Sequence, residues 1–80
     1  MKLETRAKKL HATIPTQGSK LSKVLCGLHL GFRLTVQSAA RSCGTTELRK
    51  HVSRLIDYGW PIQSEWVTKN GDRFKEYFLP

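Results

Sequence analysis

Residues 42–55, SCGTTELRKHVSRL, place the hydroxyls of Thr45, Thr46 and Ser53 in close succession with the cations of Arg49, Lys50 and Arg54. Further along, Lys69, Asn70, Arg73 and Lys75 form a second polar and cationic group. Side chains of these types suit non-covalent recognition of an anionic partner. The cations meet its charge, and the hydroxyls and the amide add directed hydrogen bonds.

Covalent and metal chemistry have less support. Cys26 and His29 stand three residues apart, with Cys43 and His51 elsewhere, so a zinc site is conceivable. Structural zinc sites usually show paired ligands of the C-x₂₋₄-C kind, and that pairing is missing. Buried free thiols and surface histidines are the simpler reading. Both cysteines fall on or beside apolar helical stripes, and no orienting acid accompanies them, which argues against a Cys–His nucleophile. Glu65 and Glu76 come close only as exposed cross-strand neighbours, a poor general acid/base pair. There is no glycine-rich phosphate loop. No enzymatic activity, cofactor or metal is expected.

The elements that must position the cationic groups come from a short chain. Eighty residues allow one small domain with a limited core. Fourteen Lys and Arg against six acids give a formal charge of +8, and the pI is near 10.0. That excess favours a polyanion, either nucleic acid or an anionic membrane surface. No apolar run approaches the ~20 residues that span a bilayer. The N-terminal region has no apolar core of a signal peptide, and two cysteines without a framework suit a reducing cytoplasm.

Residues 1–17 are basic and poor in large apolar groups; Leu3, Ala7 and Leu10 make only a weak helical stripe, and a mobile arm, helical at most in part, is expected, ended by Pro15. The ordered domain is expected over residues 18–80. Ser19 caps a first helix whose Leu21, Val24, Leu25 and Leu28 repeat at helical spacing, and Gly31 closes it. Phe32-Arg33-Leu34 is long enough only for a small strand. Thr35 caps a second helix with the stripe Val36, Ala39, Ala40 and Cys43, ended by Gly44. Thr45 or Thr46 caps a third, running over 46–58, with Leu48, Val52, Leu55 and Ile56 buried and Gly59 as its stop.

Two extended runs follow, joined by Asn70-Gly71, the residue pair that a type I′ hairpin turn favours because both central positions need positive φ. With that loop, Lys69 faces Asp72, Val67 faces Phe74, Trp66 faces Lys75, Ser64 faces Tyr77 and Ile62 faces Leu79. One face collects Ile62, Trp66, Tyr77 and Leu79 and is assigned to the core. Glu65 and Glu76 lie opposite one another on the other face and should point to solvent. Val67 and Phe74 share that outer face near the tip, either as a contact patch or because the strands twist; the twist is favoured.

Helix two, a tight turn and helix three make a helix-turn-helix, with Ala40 and Gly44 at the four-residue spacing that close helix crossing requires. Leu48, Val52 and Leu55 fall about two residues earlier than in repressor-type motifs, so the turn is tighter. Taken alone, this pattern is equally that of an ordinary three-helix packing. A basic hairpin directly afterward gives the order of an α+β winged helix-turn-helix: three helices, then a C-terminal β-hairpin wing. In that arrangement helix 46–58 enters the major groove and hairpin 62–79 rests on the backbone. Arg and Lys can reach guanine edges or phosphates, and Thr or Ser can reach either.

The stretch from Gly18 to about Leu79 also resembles a family of small helix-turn-helix domains found in bacteriophage and prophage proteins. The shared signals are Gly18-Ser19-Lys20, Gly44-Thr45-Thr46 and Gly59-Trp60-Pro61-Ile62. The resemblance implies a winged-helix fold and a phage-related role in the bacterial host cytoplasm. The resulting expectation is a double-stranded DNA-binding protein, a transcriptional regulator or an excisionase-like architectural factor, acting as a monomer or weak homodimer. Its contacts would come from Thr45, Thr46, Arg49, Lys50, Ser53, Arg54, Lys69, Asn70, Arg73 and Lys75. The alternative is a phage effector that uses the same scaffold to bind and inhibit a host protein, favoured if Trp60, Trp66 and Phe74 are exposed together. RNA binding has only the charge in its favour.

Overall fold

Local capping signals become helix ends. In the computed structural model, which describes residues 2–80, the elements are α1 (Leu3–Leu10), α2 (Lys20–His29), α3 (Val36–Ser42), α4 (Leu48–Asp57), β1 (Gln63–Lys69) and β2 (Asp72–Phe78). Ser19 Oγ accepts from the Ser22 amide at 3.1 Å and starts α2. Thr35 and Ser38 form a reciprocal capping box at the start of α3: Thr35 Oγ1 accepts from the Ser38 amide and Ser38 Oγ from the Thr35 amide. At the end of α2, Gly31 at φ +97° lets its own amide reach Leu28 O and the Phe32 amide reach Gly27 O. The same pair of bonds ends α4, from Gly59 to Ile56 O and from Trp60 to Leu55 O.

The protein is therefore α+β, with four helices and a two-stranded antiparallel hairpin among the described residues. The expected count of three helices is corrected to four. The extra helix, α1, lies in the segment expected to stand outside the core; Met1 falls outside the described residues. Ala7 is buried in the core cluster, Leu3, Leu10 and Ala12 pack against it, and Pro15 is buried. The chain after α1 is pinned as well. Thr13 donates its amide to Tyr58 O, and Trp60 Nε1 donates to Thr13 O at 2.8 Å.

The core is built from Leu21, Val24, Leu25 and Leu28 of α2, Ala39 of α3 with Cys43 just beyond it, and Leu48, Val52 and Leu55 of α4. It is closed by Leu34, Trp60, Ile62, Tyr77 and Leu79. Each fully buried Val or Leu contributes about 1.5–3 kcal/mol relative to exposure. α4 packs on both α2 and α3. Leu34 forms a single bridge with Tyr77, exchanging both backbone bonds at 2.8–2.9 Å, so the short extended stretch before α3 is stitched to β2.

The hairpin register is the expected one, from Gln63 opposite Phe78 to Lys69 opposite Asp72, around Asn70 at φ +53° and Gly71 at φ +82°. Four assignments to the core are corrected. Val36, Ala40, Ile56 and Trp66 are exposed. Ala39 rather than Ala40 is the small residue buried where α3 meets α4. Trp66 has the expected facing but lies beyond the body that Tyr77 covers, on a molecule 41 Å long and 21–22 Å across.

Candidate nucleic-acid interface

α4 carries the cationic side chains on the side opposite Leu48, Val52 and Leu55. Thr46, Arg49, Lys50, Ser53 and Arg54 are all exposed. At about 100° per residue, Ser53 lies ~40° round the axis from Arg49, whereas Lys50 and Arg54 lie ~100° and ~140° away. Arg49 and Ser53 thus form one flank, and Lys50 and Arg54 another.

Thr45 is different, and its expected role as a contact residue is corrected. It is only 4% exposed, and its Oγ1 accepts from the Glu47 amide at 3.1 Å while lying 3.0 Å from His51 Nε2. The hydroxyl holds the turn between α3 and α4 together. Neither threonine is the helix cap: α4 begins at Leu48, and Glu47 precedes it without a side-chain capping bond.

Arg49 and the first turn of α3, from Thr35 to Ser38, stand across from the hairpin. Between them runs an open groove of about 970 Å³ to which Arg49, Lys69, Asn70, Arg73 and Lys75 all contribute. Five of the ten expected contact residues therefore meet in one concavity. Lys50, Ser53 and Arg54 on α4, with Thr46 in the turn before it, extend the cationic and hydroxyl surface outside that lining.

Two residues at this site were not among the expected nucleic-acid contacts. Trp66 stands in the groove wall, 54% exposed, with the Arg73 guanidinium 4.5 Å from its ring centre and Lys75 Nζ at 5.5 Å. Its cationic cross-strand neighbour Lys75 was the available signal that this end of the face is wet. Arg33 is the second. Its guanidinium is hydrogen-bonded and ion-paired to Glu65, lies 3.3 Å from Glu76, and stacks 4.4 Å over the Phe78 ring. Its hydrogen bonds to the carboxylates of Glu65 first, and then Glu76, raise its pKa above the ordinary arginine value. Two like charges directly opposite on a hairpin are destabilising unless a cation meets them, and that was the available sign of Arg33's role. Their face is thus bridged rather than simply solvated, and Val67 and Phe74 on it are half-buried.

Trp60 is fully buried, so Trp60, Trp66 and Phe74 do not form a common exposed aromatic surface. Cys26 is exposed, Cys43 buried, and both thiols are free. Among the described residues no cluster of three or more His, Cys, Asp or Glu could hold a metal ion, and no helix is long and apolar enough to cross a membrane.

Comparison of the chain with family models, with curated proteins and with solved structures gives no match. The resemblance to phage helix-turn-helix domains rests on the three short signals quoted for it.

Proposed function

We propose that the protein is a winged-helix DNA-binding protein in which α4 addresses the major groove of a duplex and the β1–β2 hairpin lies against the backbone. The order α2, Leu34 bridge, α3, α4, hairpin supports the winged-helix reading, with α1 as an addition before it. The observation that carries the function is the meeting of Arg49 from α4 with Lys69, Asn70, Arg73 and Lys75 from the hairpin around one groove. Only Asp72 and Glu76 supply negative charge to that lining, and Glu76 is already opposed by Arg33. A duplex offers one phosphate charge per ~1.7 Å of axis, which a strip of cations on two adjoining elements can follow.

A transcriptional or architectural role in a bacterial cytoplasm, as in phage and prophage proteins, is the setting that the quoted motifs suggest. Selection of bound duplexes from a random pool tests the reading. An enriched site, protected from cleavage and bound more tightly than bulk duplex, is the expected result.

The second reading, a protein partner, is favoured by one observation away from α4. Leu30 and Phe32, in the loop after α2, are 72% and 62% exposed. If that loop is the working surface, Phe32→Ser abolishes partner capture and leaves duplex binding unchanged.

A further inference from the structure

Trp66 is the largest exposed aromatic side chain of the hairpin, and nothing in the duplex reading uses it. A tryptophan that serves only to fill a core is buried, as Trp60 is at 1%; Trp66 leaves more than half of its surface in water beside two cations. Arg73 lies over the indole at 4.5 Å from its centre and Lys75 at 5.5 Å, so a base stacks there by displacing a cation from the ring or on the area the cations leave uncovered, and in either case positive charge for its phosphate is adjacent. Lys69 and Arg49 border the same groove and add to its positive charge. Aromatic side chains in a cationic groove are how proteins hold unpaired nucleotides, because every base has a π-face and stacking needs no pairing edge.

We infer that the hairpin carries a stacking site for an unpaired nucleotide, with the base on Trp66 and the phosphate on Arg73 and Lys75. This rests on the reading that the groove binds nucleic acid, and deepens it. The preferred substrate becomes a duplex that adjoins a single-stranded or unpaired segment, with α4 on the paired part and the hairpin tip on the unpaired part. The stacking contact contributes affinity without sequence preference and without added charge, so it differs in kind from the phosphate contacts around it.

The experiment compares a blunt duplex, the same duplex with a short oligothymidine extension, and the extension alone, each bound to wild type, W66A and W66F. Trp66 lies outside the core cluster, so W66A is expected to keep the wild-type circular dichroism and melting temperature, which are measured alongside. The extension is expected to tighten wild-type binding about tenfold and to quench indole emission, with buried Trp60 as the unquenched background. W66A is expected to lose that gain, and W66F to keep most of it. Blunt-duplex binding with no gain from the extension, or a gain that survives in W66A, overturns the stacking site and leaves the duplex reading standing. Binding of the extension alone, with quenching, while the blunt duplex is not bound, overturns the duplex reading and keeps the stacking site. Failure to bind any of the three removes both.

Discussion

Trp60 Nε1 donates to Thr13 O across 2.8 Å, joining a residue just past α4 to the chain that leaves α1. This bond turns the N-terminal segment from an appendage into part of the folded body. The indole is fully buried, and the Thr13 amide returns a bond to Tyr58 O beside it. The junction between α4 and the hairpin is therefore supported from beneath by residues near the start of the chain.

Truncation tests that dependence. Deleting residues 1–14 removes Ala7 from the core, strips the cover from Trp60 and leaves its N–H without Thr13 O. A clear fall in melting temperature is expected. Trp60→Phe isolates part of this effect: with the carbonyl left behind, a loss of about 1–3 kcal/mol is expected in urea unfolding. An unchanged melting temperature on truncation would contradict the packing of α1.

Two glycines should respond differently to alanine. Gly44 and Gly59 both have positive φ, at +68° and +102°. A Cβ on Gly44 meets open space, whereas on Gly59 it would approach Ala12 Cα at 3.0 Å and His11 O at 3.3 Å. Gly44→Ala should cost about 1 kcal/mol from backbone strain alone. Gly59→Ala should cost more, because the chain after α1 must also move. Equal losses in denaturant unfolding would show that the segment around Ala12 does not pack there.

The Arg33 bridge gives a salt-dependent expectation. Arg33 and Glu65 are about half exposed, and Glu76 keeps about a quarter of its side chain in water, so the bridge is screened and its contribution is modest. Arg33→Ala should leave two carboxylates facing each other across the hairpin and speed amide exchange in β1 and β2, more at low salt than at high. Adding Glu65→Gln should restore part of the protection. If Arg33→Ala has the same effect at both salt concentrations, the bridge is not electrostatic in origin.

Legibility of the sequence varied with how local each signal was. Asn70-Gly71, Ser19, Thr35 and the glycines after α2 and α4 act within a few residues, and the hairpin register and helix ends follow from them. α2 was readable because four large apolar residues share one face. α1 was not, because Leu3, Ala7 and Leu10 bury too little surface to define a short helix without Trp60, which is remote in the chain. Periodicity likewise marked Val36, Ile56 and Trp66 as apolar without revealing that no other element covers them. At the candidate site the cations were visible as residues, but the hydrogen bonding of Thr45 and which flank of α4 shares a groove with the hairpin depended on tertiary placement.

Those two flanks make a prediction of their own. Arg49→Ala removes a cation from the groove shared with the hairpin, and Lys50→Ala removes one from the other flank. Combined with Arg73→Ala, the Arg49 change should show coupling in a double-mutant cycle of duplex affinity, whereas the Lys50 change should be additive. A base-reading contact at either position costs about 1–3 kcal/mol and relaxes discrimination at one base pair. Coupling of Arg73 to Lys50 instead of Arg49 would place the duplex on the other side of α4.

If α4 and the hairpin present one phosphate-binding surface, the salt dependence of duplex binding must report it. Every phosphate interaction that a substitution removes should flatten the plot of log K against log salt by about 0.9. The variant carrying Arg49→Ala, Arg73→Ala and Lys75→Ala should therefore show a slope shallower than wild type by nearly three, with an unaltered melting temperature. A slope that matches wild type, or a wild type that binds duplex without salt dependence, would mean that the two elements share no such surface.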